Sequence, residues 1–425
     1  MELKISNITQ ENFYDYIVVG GGASGLFFGA SLELQGKRGL ILEAAGTLGQ
    51  KILASGGGRY NFTHGGSIKN FPERYISSDS NASSFIRPSL YKFNNIAVIQ
   101  FFEKLGIPSY VQEDGRFFPY TDSSLSIRNA LVDRCRRCSC KFSTNSTVLS
   151  VDKRGDCWII RTDREKILAT SKLIVATGGP AWKGLGRGDR MTAILAGIGL
   201  KVIAPVPALT QINIKHFDLE KLSGISFDDV KCRILKNSTG KLIHTKSGSL
   251  LITENGFSGP LALNISTLIN KMKSNSLNDF SIEFILPAAD YISMLSFDGI
   301  NSNLVNSIRK LTELPERYIK HFTNEFSNKK ASSVPAKIIR NMLYNMYTLH
   351  YDSESIVFPS FNAAMSSLGG VSTNEVNKKS FQCNSLEGIY IIGEALDITA
   401  DTGGYNLQLA WSSAHTAAFD LICHP

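Results

Sequence analysis

An α/β fold, with a parallel sheet covered by helices and interrupted by a long insert, is predicted by three features of these 425 residues. Near the start, a short apolar run is followed by a glycine turn, a helix-like stretch and a second apolar run that ends in an acid. Near the end, another apolar run stops in glycine and leads through a glycine pair into a helix with apolar steps of three and four. Between them lie short strand-like pieces and then a region of different character, strands first and helices after.

The first feature spans residues 14–43. Ile17, Val18 and Val19 make a buried-strand pattern, and Gly20, Gly22 and Gly25 fall in the spacing G-x-G-x-x-G. Gly20 permits the tight turn, Gly22 lets backbone approach a pyrophosphate, and Gly25 lets the helix lie close on the strand. Ala23 and Ser24 open that helix, whose first N–H groups and dipole suit phosphate. Leu26, Ala30 and Leu34 recur at helical spacing and Gly36 supplies a stop. The second strand ends at Glu43, followed by Ala44; a carboxylate there accepts hydrogen bonds from ribose hydroxyls and repels a 2′-phosphate. FAD or NAD is expected, rather than NADP.

A glycine-rich loop follows at 46–66, then a polar stretch to about residue 82. Helices are expected near 84–91, 95–105 and 124–135, with a tight turn into a strand edge at 113–119. Pieces 147–152, 157–162 and 165–169 read as a β-meander feeding an apolar strand at 172–176, which ends in Thr177, Gly178 and Gly179. A short helix at 191–199 precedes Pro205 and Pro207, which read as a boundary. From about 203 to 361, strands (230–235, 241–244, 250–253, 280–286) are followed by helices (304–311, 316–323, 334–346). The expected division is 1–202 with 363–425, then 203–290 with 347–362 as the β part of an insert, and 291–346 as its helical part. The chain returns at 363–371, adds a core strand at 388–392, and closes with a helix marked by Leu407, Ala410, Trp411, Ala414, Ala417, Ala418 and Leu421. If the start of that helix at Asn406 points at a flavin ring, its N–H groups stabilise the negative charge that gathers there on reduction.

The net charge of +8 favours anionic partners. The densest basic run, 134–141, falls where a helix gives way to a strand, so a solvated helix end is favoured over a nucleic-acid patch. Cys135 and Cys138, with Cys140, make a C-x-x-C without the second ligand pair that zinc needs, and it trails a helix instead of opening one as a redox pair would. No metal is expected. No apolar run is long enough to span a bilayer, and residues 1–12 lack a signal peptide's apolar centre, so a soluble, cytoplasmic protein is expected.

Taken together, the motifs resemble the BaiN/YhiN-like flavoproteins, the aminoacetone-oxidase-family FAD-binding enzymes. The resemblance runs along nearly the whole chain. It rests on residues 20–26, on Lys51 with 55–61, on 115–119, 176–179 and 250–260, on 369–371 with Glu375, and on 393–397 with 402–408. It implies a glutathione-reductase-type FAD-binding Rossmann domain with a β-meander, interrupted by an insert made of a small β-barrel and a helical unit. By that resemblance, Gly20–Gly25 and Glu43 hold the ADP half of FAD. Lys51, Ser55, Gly56, Gly57, Arg59 and Asn61 line the pyrophosphate and isoalloxazine, and Val148 offers backbone atoms to adenine. Ala176, Thr177, Gly178 and Gly179 close over the ADP half. Gly393, Glu394 and Asp397, with Gly403, Gly404, Tyr405, Asn406 and Leu407, hold ribityl and ring. The chain departs from the family pattern at Tyr60, where members commonly carry cysteine, at Glu254, where they carry histidine, and at residues 398–401, which lack the usual Asp-Gly.

An FAD-dependent oxidoreductase is therefore expected, transferring a hydride between flavin N5 and a small-molecule substrate. Residues 50–61 contain no cysteine, which removes a disulfide-reductase mechanism. A second G-x-G-x-x-G is absent, since residues 184–188 have the wrong spacing. NADH or NADPH, if used, docks transiently, and Lys183, Arg187 and Arg190 could meet its phosphates. Tyr60, Arg59 and Arg116 are ring-side candidates, an arginine being suited to bidentate binding of a carboxylate. Glu254 is an acid/base candidate. The alternatives are a flavin-dependent tRNA-modifying enzyme, suggested by the basic balance and large insert, and a non-catalytic flavin-binding protein, suggested by Tyr60 and Glu254.

Overall fold

The computed structural model describes residues 10–32, 37–182, 188–287, 289 and 302–424. Leu34, Gly36, Lys183, Arg187 and the first part of the expected helical insert lie outside them. The chain divides into two compact units, Met1–Ala208 with Ser360–Pro425, and Leu209–Pro359.

In the first unit, β1 (Phe13–Val19) runs parallel to β2 (Gly39–Leu42), joined through α1 (Ala23–Ser31). The last four residues of β1 and all of β2 are buried, as strands covered on both faces must be. α2 (Gln50–Ala54), α3 (Ala82–Lys92), α4 (Asn95–Lys104) and α5 (Ser124–Arg137) follow, before β3 (Cys140–Ser143) pairs parallel with β2. α3 and α4 are capped by Asn81 and Asn94, whose side-chain oxygens each accept a backbone N–H at 2.9 Å. β4 (Val148–Arg154) and β5 (Cys157–Thr162) form the expected meander into β6 (Ile167–Val175). β6 is one strand, where the sequence suggested two. Its first half pairs with β5 and its second half lies beside β1 and a returning strand, so the polar pair Thr170 and Ser171 marks a change of partner and not a break.

The helix α6 (Gly188–Gly197) leads to β7 (Val202–Ala208), which contains Pro205 and Pro207. Neither proline ends the strand. β7 belongs to a two-stranded pair with a register shift between Ile203 and Val206, the setting in which proline's missing N–H is tolerated.

The second unit has the strands β8 (Ile212–Ile214), β9 (Ser226–Lys236), β10 (Lys241–Thr253) and β11 (Gly256–Ser258), the helix α7 (Gly259–Ser274), and β12 (Phe280–Ile285). It continues with α8 (Leu304–Leu311), α9 (Glu316–Thr323), α10 (Ala336–Tyr347), β13 (Thr348–Asp352) and β14 (Ile356–Val357). The strands form one antiparallel sheet in the order β13-β12-β9-β10-β11-β8-β14, and β10 joins two pieces that the sequence separated. α7 was not anticipated. Its signals are nonetheless present: Pro260 in the first turn, and Leu261, Ala262, Ile265, Ile269 and Met272 buried at helical steps. Strands and helices share one core, in which Tyr318 of α9 packs edge-on against Phe227 of β9 at 5.1 Å and donates its hydroxyl to the Met346 carbonyl at 2.6 Å.

Back in the first unit, β15 (Ser366–Val371) pairs with β7, and β16 (Ile389–Ile391) runs parallel to β6. The parallel order is β3-β2-β1-β6-β16. α11 (Tyr405–Cys423) packs on α1, with Phe27 and Trp411 rings 5.0 Å apart. Its buried polar side chains hold the chain's first third in place. Trp411 Nε1 donates to the Phe62 carbonyl at 2.9 Å, and the Gln408 amide accepts the Thr63 hydroxyl at 2.6 Å while donating to the Phe93 carbonyl at 3.1 Å. Cys135 and Cys140 are buried; Cys135 donates to the Leu26 carbonyl at 3.1 Å, and burial pushes the Cys140 thiol up to about 12. Both are poor nucleophiles. Among the described residues no helix is long and apolar enough to cross a membrane, and none group as metal ligands.

His415 on α11 stacks on Phe93 at 4.1 Å, and burial, with Lys92 beside it, pushes its pKa down to about 4. The unfolded chain takes up this proton near pH 6.5 and the folded chain does not, so stability is full above that pH and falls as pH drops toward about 4. His415→Phe should flatten this acid limb by about 1–3 kcal/mol, read as the urea midpoint at pH 7.5 against pH 5.

Candidate functional site

The glycine turn after β1 is constrained on its inner side and open on its outer side. Gly20 has φ +108°, and a Cβ there would lie 2.4 Å from the Ala176 carbonyl oxygen at the end of β6. A Cβ on Gly25 would lie 1.9 Å from the Gly20 oxygen, so only glycine lets α1 settle on β1. A Cβ on Gly22, in contrast, would meet no atom within 4 Å. Gly22 is also the N-cap of α1 and gives it no side-chain acceptor, so the first N–H groups are available to a ligand. Glu43 braces the turn: its two oxygens accept the Gly21 and Ala45 N–H groups, each at 2.8 Å. A carboxylate has about four lone-pair sites, which leaves about two for hydroxyls.

A groove of about 1310 Å³, open to solvent, runs along this turn. Gly20, Gly22, Ala23, Ser24, Glu43 and Ala44 line it, and Lys51, Ser55, Tyr60 and Val148 join them. Ala176, Thr177 and Gly178 contribute from the end of β6, and Glu394, Asn406 and Leu407 from the far end of the chain. The two ends of the sequence therefore meet at one place. Their closeness is measured at Gly393, where a Cβ would lie 2.0 Å from Ser24 Oγ, and at Gly404, where one would lie 2.8 Å from the Thr63 carbonyl.

One wall is a chain of hydrogen bonds. Lys51 Nζ donates to the Gly179 carbonyl at 2.8 Å and pairs with Glu394 at 3.6 Å. Glu394 accepts the Ser366 hydroxyl at 2.7 Å, Ser366 meets Thr399 at 2.8 Å, and Thr399 donates to Asn406 Oδ1 at 3.2 Å. The Asn406 amide is also tied to both backbone groups of Ala400, at 2.9 and 3.0 Å. Lys51, Glu394 and Asn406 thus fix the wall's shape as well as line it.

Other expected residues are placed away from the groove. Gly25, Gly179 and Gly393 do not line it; each is packed closely, against Gly20, Ser367 and Ser24 respectively. Gly56 and Gly57 lie in the turn Ser55–Gly58. Asp397 is fully buried, with one oxygen accepting the Ser77 hydroxyl at 2.9 Å and the Ser78 N–H at 2.7 Å. Tyr405 stacks on His64 at 5.1 Å, beside Gly403 and Gly404. Asn61 lies next to that turn, its Oδ1 being 3.0 Å from the place a Gly404 Cβ would take. Arg59 and Arg116 both lie over the Phe118 ring, and Arg116 pairs with Asp114 at 2.6 Å; neither lines the groove. Glu254 lies in the exposed turn between β10 and β11 of the second unit.

Tyr60 lines the groove but is fully buried, at φ +67°, and its hydroxyl has no partner among the described residues. Burial holds its pKa well above the usual phenol range, so it stays protonated. Removing a partnerless buried hydroxyl is neutral or stabilising by about 1 kcal/mol, so Tyr60→Phe should leave the urea midpoint of flavin-free protein unchanged or raised.

Sequence reasoning missed Gly49, Gln50, Ser146, Thr147, Met191 and the pair Trp182 and Met365, all of which line the groove; Arg190 lines it as well. Trp182 has φ +62° and donates its indole N–H to the Met365 carbonyl at 3.1 Å, across 183 residues of chain. No local pattern announces such a pair.

The residues present fit FAD. The α1 N–H groups suit a pyrophosphate, Glu43 keeps acceptor capacity, and the space beside Gly22 is open, with no atom within 4 Å of where a Cβ would stand. Parallel sheet, meander, turn and groove define an FAD-dependent oxidoreductase with a Rossmann-type domain. The chain belongs to the HI0933-like protein Rossmann domain family, which matches residues 14–420. A ribosomal RNA dihydrouridine synthase of Escherichia coli K12 is 30% identical over 420 residues, covering 96% of this chain and 98% of that protein. A 3-dehydro-bile acid delta(4,6)-reductase of Clostridium scindens is 27% identical over 422 residues, covering 94% and 97%. The solved 3-ketosteroid delta1-dehydrogenase of Sterolibacterium denitrificans aligns over 97% of this chain and 100% of its own, with 12% identity and a TM-score of 0.49.

Proposed function

We propose that this enzyme reduces a carbon–carbon double bond conjugated to a carbonyl, and that its substrate is a uridine of ribosomal RNA. The observation that carries this is the 30% identity, over 96% of the chain, to a ribosomal RNA dihydrouridine synthase. Dihydrouridine differs from uridine by two hydrogens added across a double bond of that kind. The bile-acid relative's name describes the same class of bond, so a small cyclic enone is the second reading. RNA here means ribosomal RNA, in place of the tRNA considered from sequence.

In this reading residues 1–202 and 363–425 bind FAD, and residues 203–362 form the insert that meets substrate. Gly20, Gly22, Ala23, Ser24 and the α1 N–H groups hold the pyrophosphate, Glu43 the ribose, and Ala44 and Val148 the adenosine. Lys51, Ser55, Thr177, Gly178, Glu394, Asn406 and Leu407 position the rest of the cofactor. Bound FAD supplies two-electron transfer, and NADH or NADPH is the transient donor. Arg190, a cation on the groove, is the described residue best suited to the donor's phosphate.

The test is incubation of purified holoprotein, with NADH or NADPH under anaerobic conditions, with protein-free ribosomal RNA from cells lacking the gene. Mass spectrometry of the digested RNA should find a uridine heavier by two hydrogens. No such product, together with loss of a steroid dienone's absorbance under the same conditions, would replace the RNA reading with the enone one.

A further inference from the structure

We infer that the exposed face of α10, with the turn that precedes it, is an RNA-docking surface; the inference rests on the ribosomal RNA reading above. Residues 302–347 carry eight Lys and Arg against three Asp and Glu, a net +5 out of the chain's +8. Within the segment the charges are unevenly used. Glu316 is shared by Arg309 and Lys320, each at 2.6 Å, and Arg317 donates to the Ser223 carbonyl at 2.8 Å. From residue 326 to 351 there is no Asp or Glu at all. That acid-free stretch holds Lys329, Lys330, Lys337 and Arg340, all exposed.

Helical spacing gathers the last two into one face. Ile339, Leu343, Met346 and Tyr347 turn inward and bury. Lys337, Arg340, Asn341 and Tyr344, three and four apart, turn outward. Tyr344 is 60% exposed, an aromatic ring left in water between amide and cationic neighbours. Burial does not account for it, whereas a ring beside guanidinium and ammonium groups is the composition that stacks on a base while its neighbours meet phosphates. An anionic lipid surface would also take the cations and seat a tyrosine at headgroup level, but the exposed amides of Asn341 and Asn345 and the likeness to a ribosomal RNA enzyme favour RNA. RNA uses all of them.

The experiment uses FAD-loaded full chain and protein-free ribosomal RNA, with affinity measured against salt, and phosphatidylglycerol vesicles in parallel. The double substitution Lys337→Gln with Arg340→Gln should weaken RNA binding about tenfold at low salt and lower the slope of log K against log salt by about two, while flavin absorbance and melting temperature hold. Tyr344→Ala should weaken binding about fivefold or more with the slope unchanged, since stacking releases no counterions. Wild-type binding with unaltered binding by both variants overturns the surface and leaves the RNA reading standing. Absence of RNA binding by wild type even at low salt overturns both. Loss of vesicle binding without loss of RNA binding overturns the inference in favour of a lipid contact.

Discussion

Gly25→Val is expected to give a protein that purifies without yellow colour and melts well below the parent. The added Cβ would lie 1.9 Å from the Gly20 carbonyl oxygen and 3.2 Å from a Val18 methyl. The first neighbour is backbone and cannot rotate away, so α1 must lift from β1. Overpacking of this kind costs about 1–3 kcal/mol and sometimes more, and here it also misaims the N–H groups at the groove. Flavin absorbance per protein and a thermal melt measure the two consequences. Gly22→Ala separates them: its Cβ meets no atom within 4 Å and its backbone, at φ −85°, suits any residue, so the fold should melt normally. If that variant also bound FAD at the parent's affinity, the pyrophosphate would not lie at this turn.

Glu43→Ala is expected to lower FAD affinity by on the order of 100-fold. The Gly21 and Ala45 N–H groups would lose the carboxylate that each meets at 2.8 Å, and hydrogen bonds to charged groups are worth about 1.5–3 kcal/mol. The turn would loosen and, in the proposed reading, the ribose would lose its acceptor as well. Glu43→Gln keeps one acceptor oxygen and faces the other N–H with an NH₂ group, so an intermediate loss is expected. Titration of flavin-free protein, followed by quenching of flavin fluorescence, ranks the three. Equal affinity for all would show that Glu43 touches neither turn nor cofactor in any way that matters.

The parts of the fold that were legible share one property: their signal sits in a few consecutive residues. Gly20 and Gly25 announced the turn because positive φ at the first and close backbone approach at both exclude other residues, while Gly22 leaves its outer side open. α8 and α9 were bounded correctly, and α11 was found from its apolar steps. Where the reading failed, a local cue had a tertiary answer. Pro205 and Pro207 looked like an end and lie within β7, because that strand has a free edge. Thr170 and Ser171 looked like a gap and mark the point where β6 exchanges one neighbour for another. α7 was passed over although Pro260 opens it and Leu261, Ala262, Ile265, Ile269 and Met272 fall at helical steps.

From sequence alone came the dinucleotide turn, the acid after β2, the glycine pair before α11 and the family to which they belong. Each depends on what one residue type can do at one backbone position. Which side chains reach the groove was decided only by the tertiary structure. Asp397 turned inward to Ser77 and Ser78 and Tyr405 to His64, while Asn406 stayed on the groove tied to Ala400, and Trp182 and Met365 entered from 183 residues apart. A side chain takes the partner that satisfies its polar atoms in the folded chain, and sequence spacing does not record who that partner is.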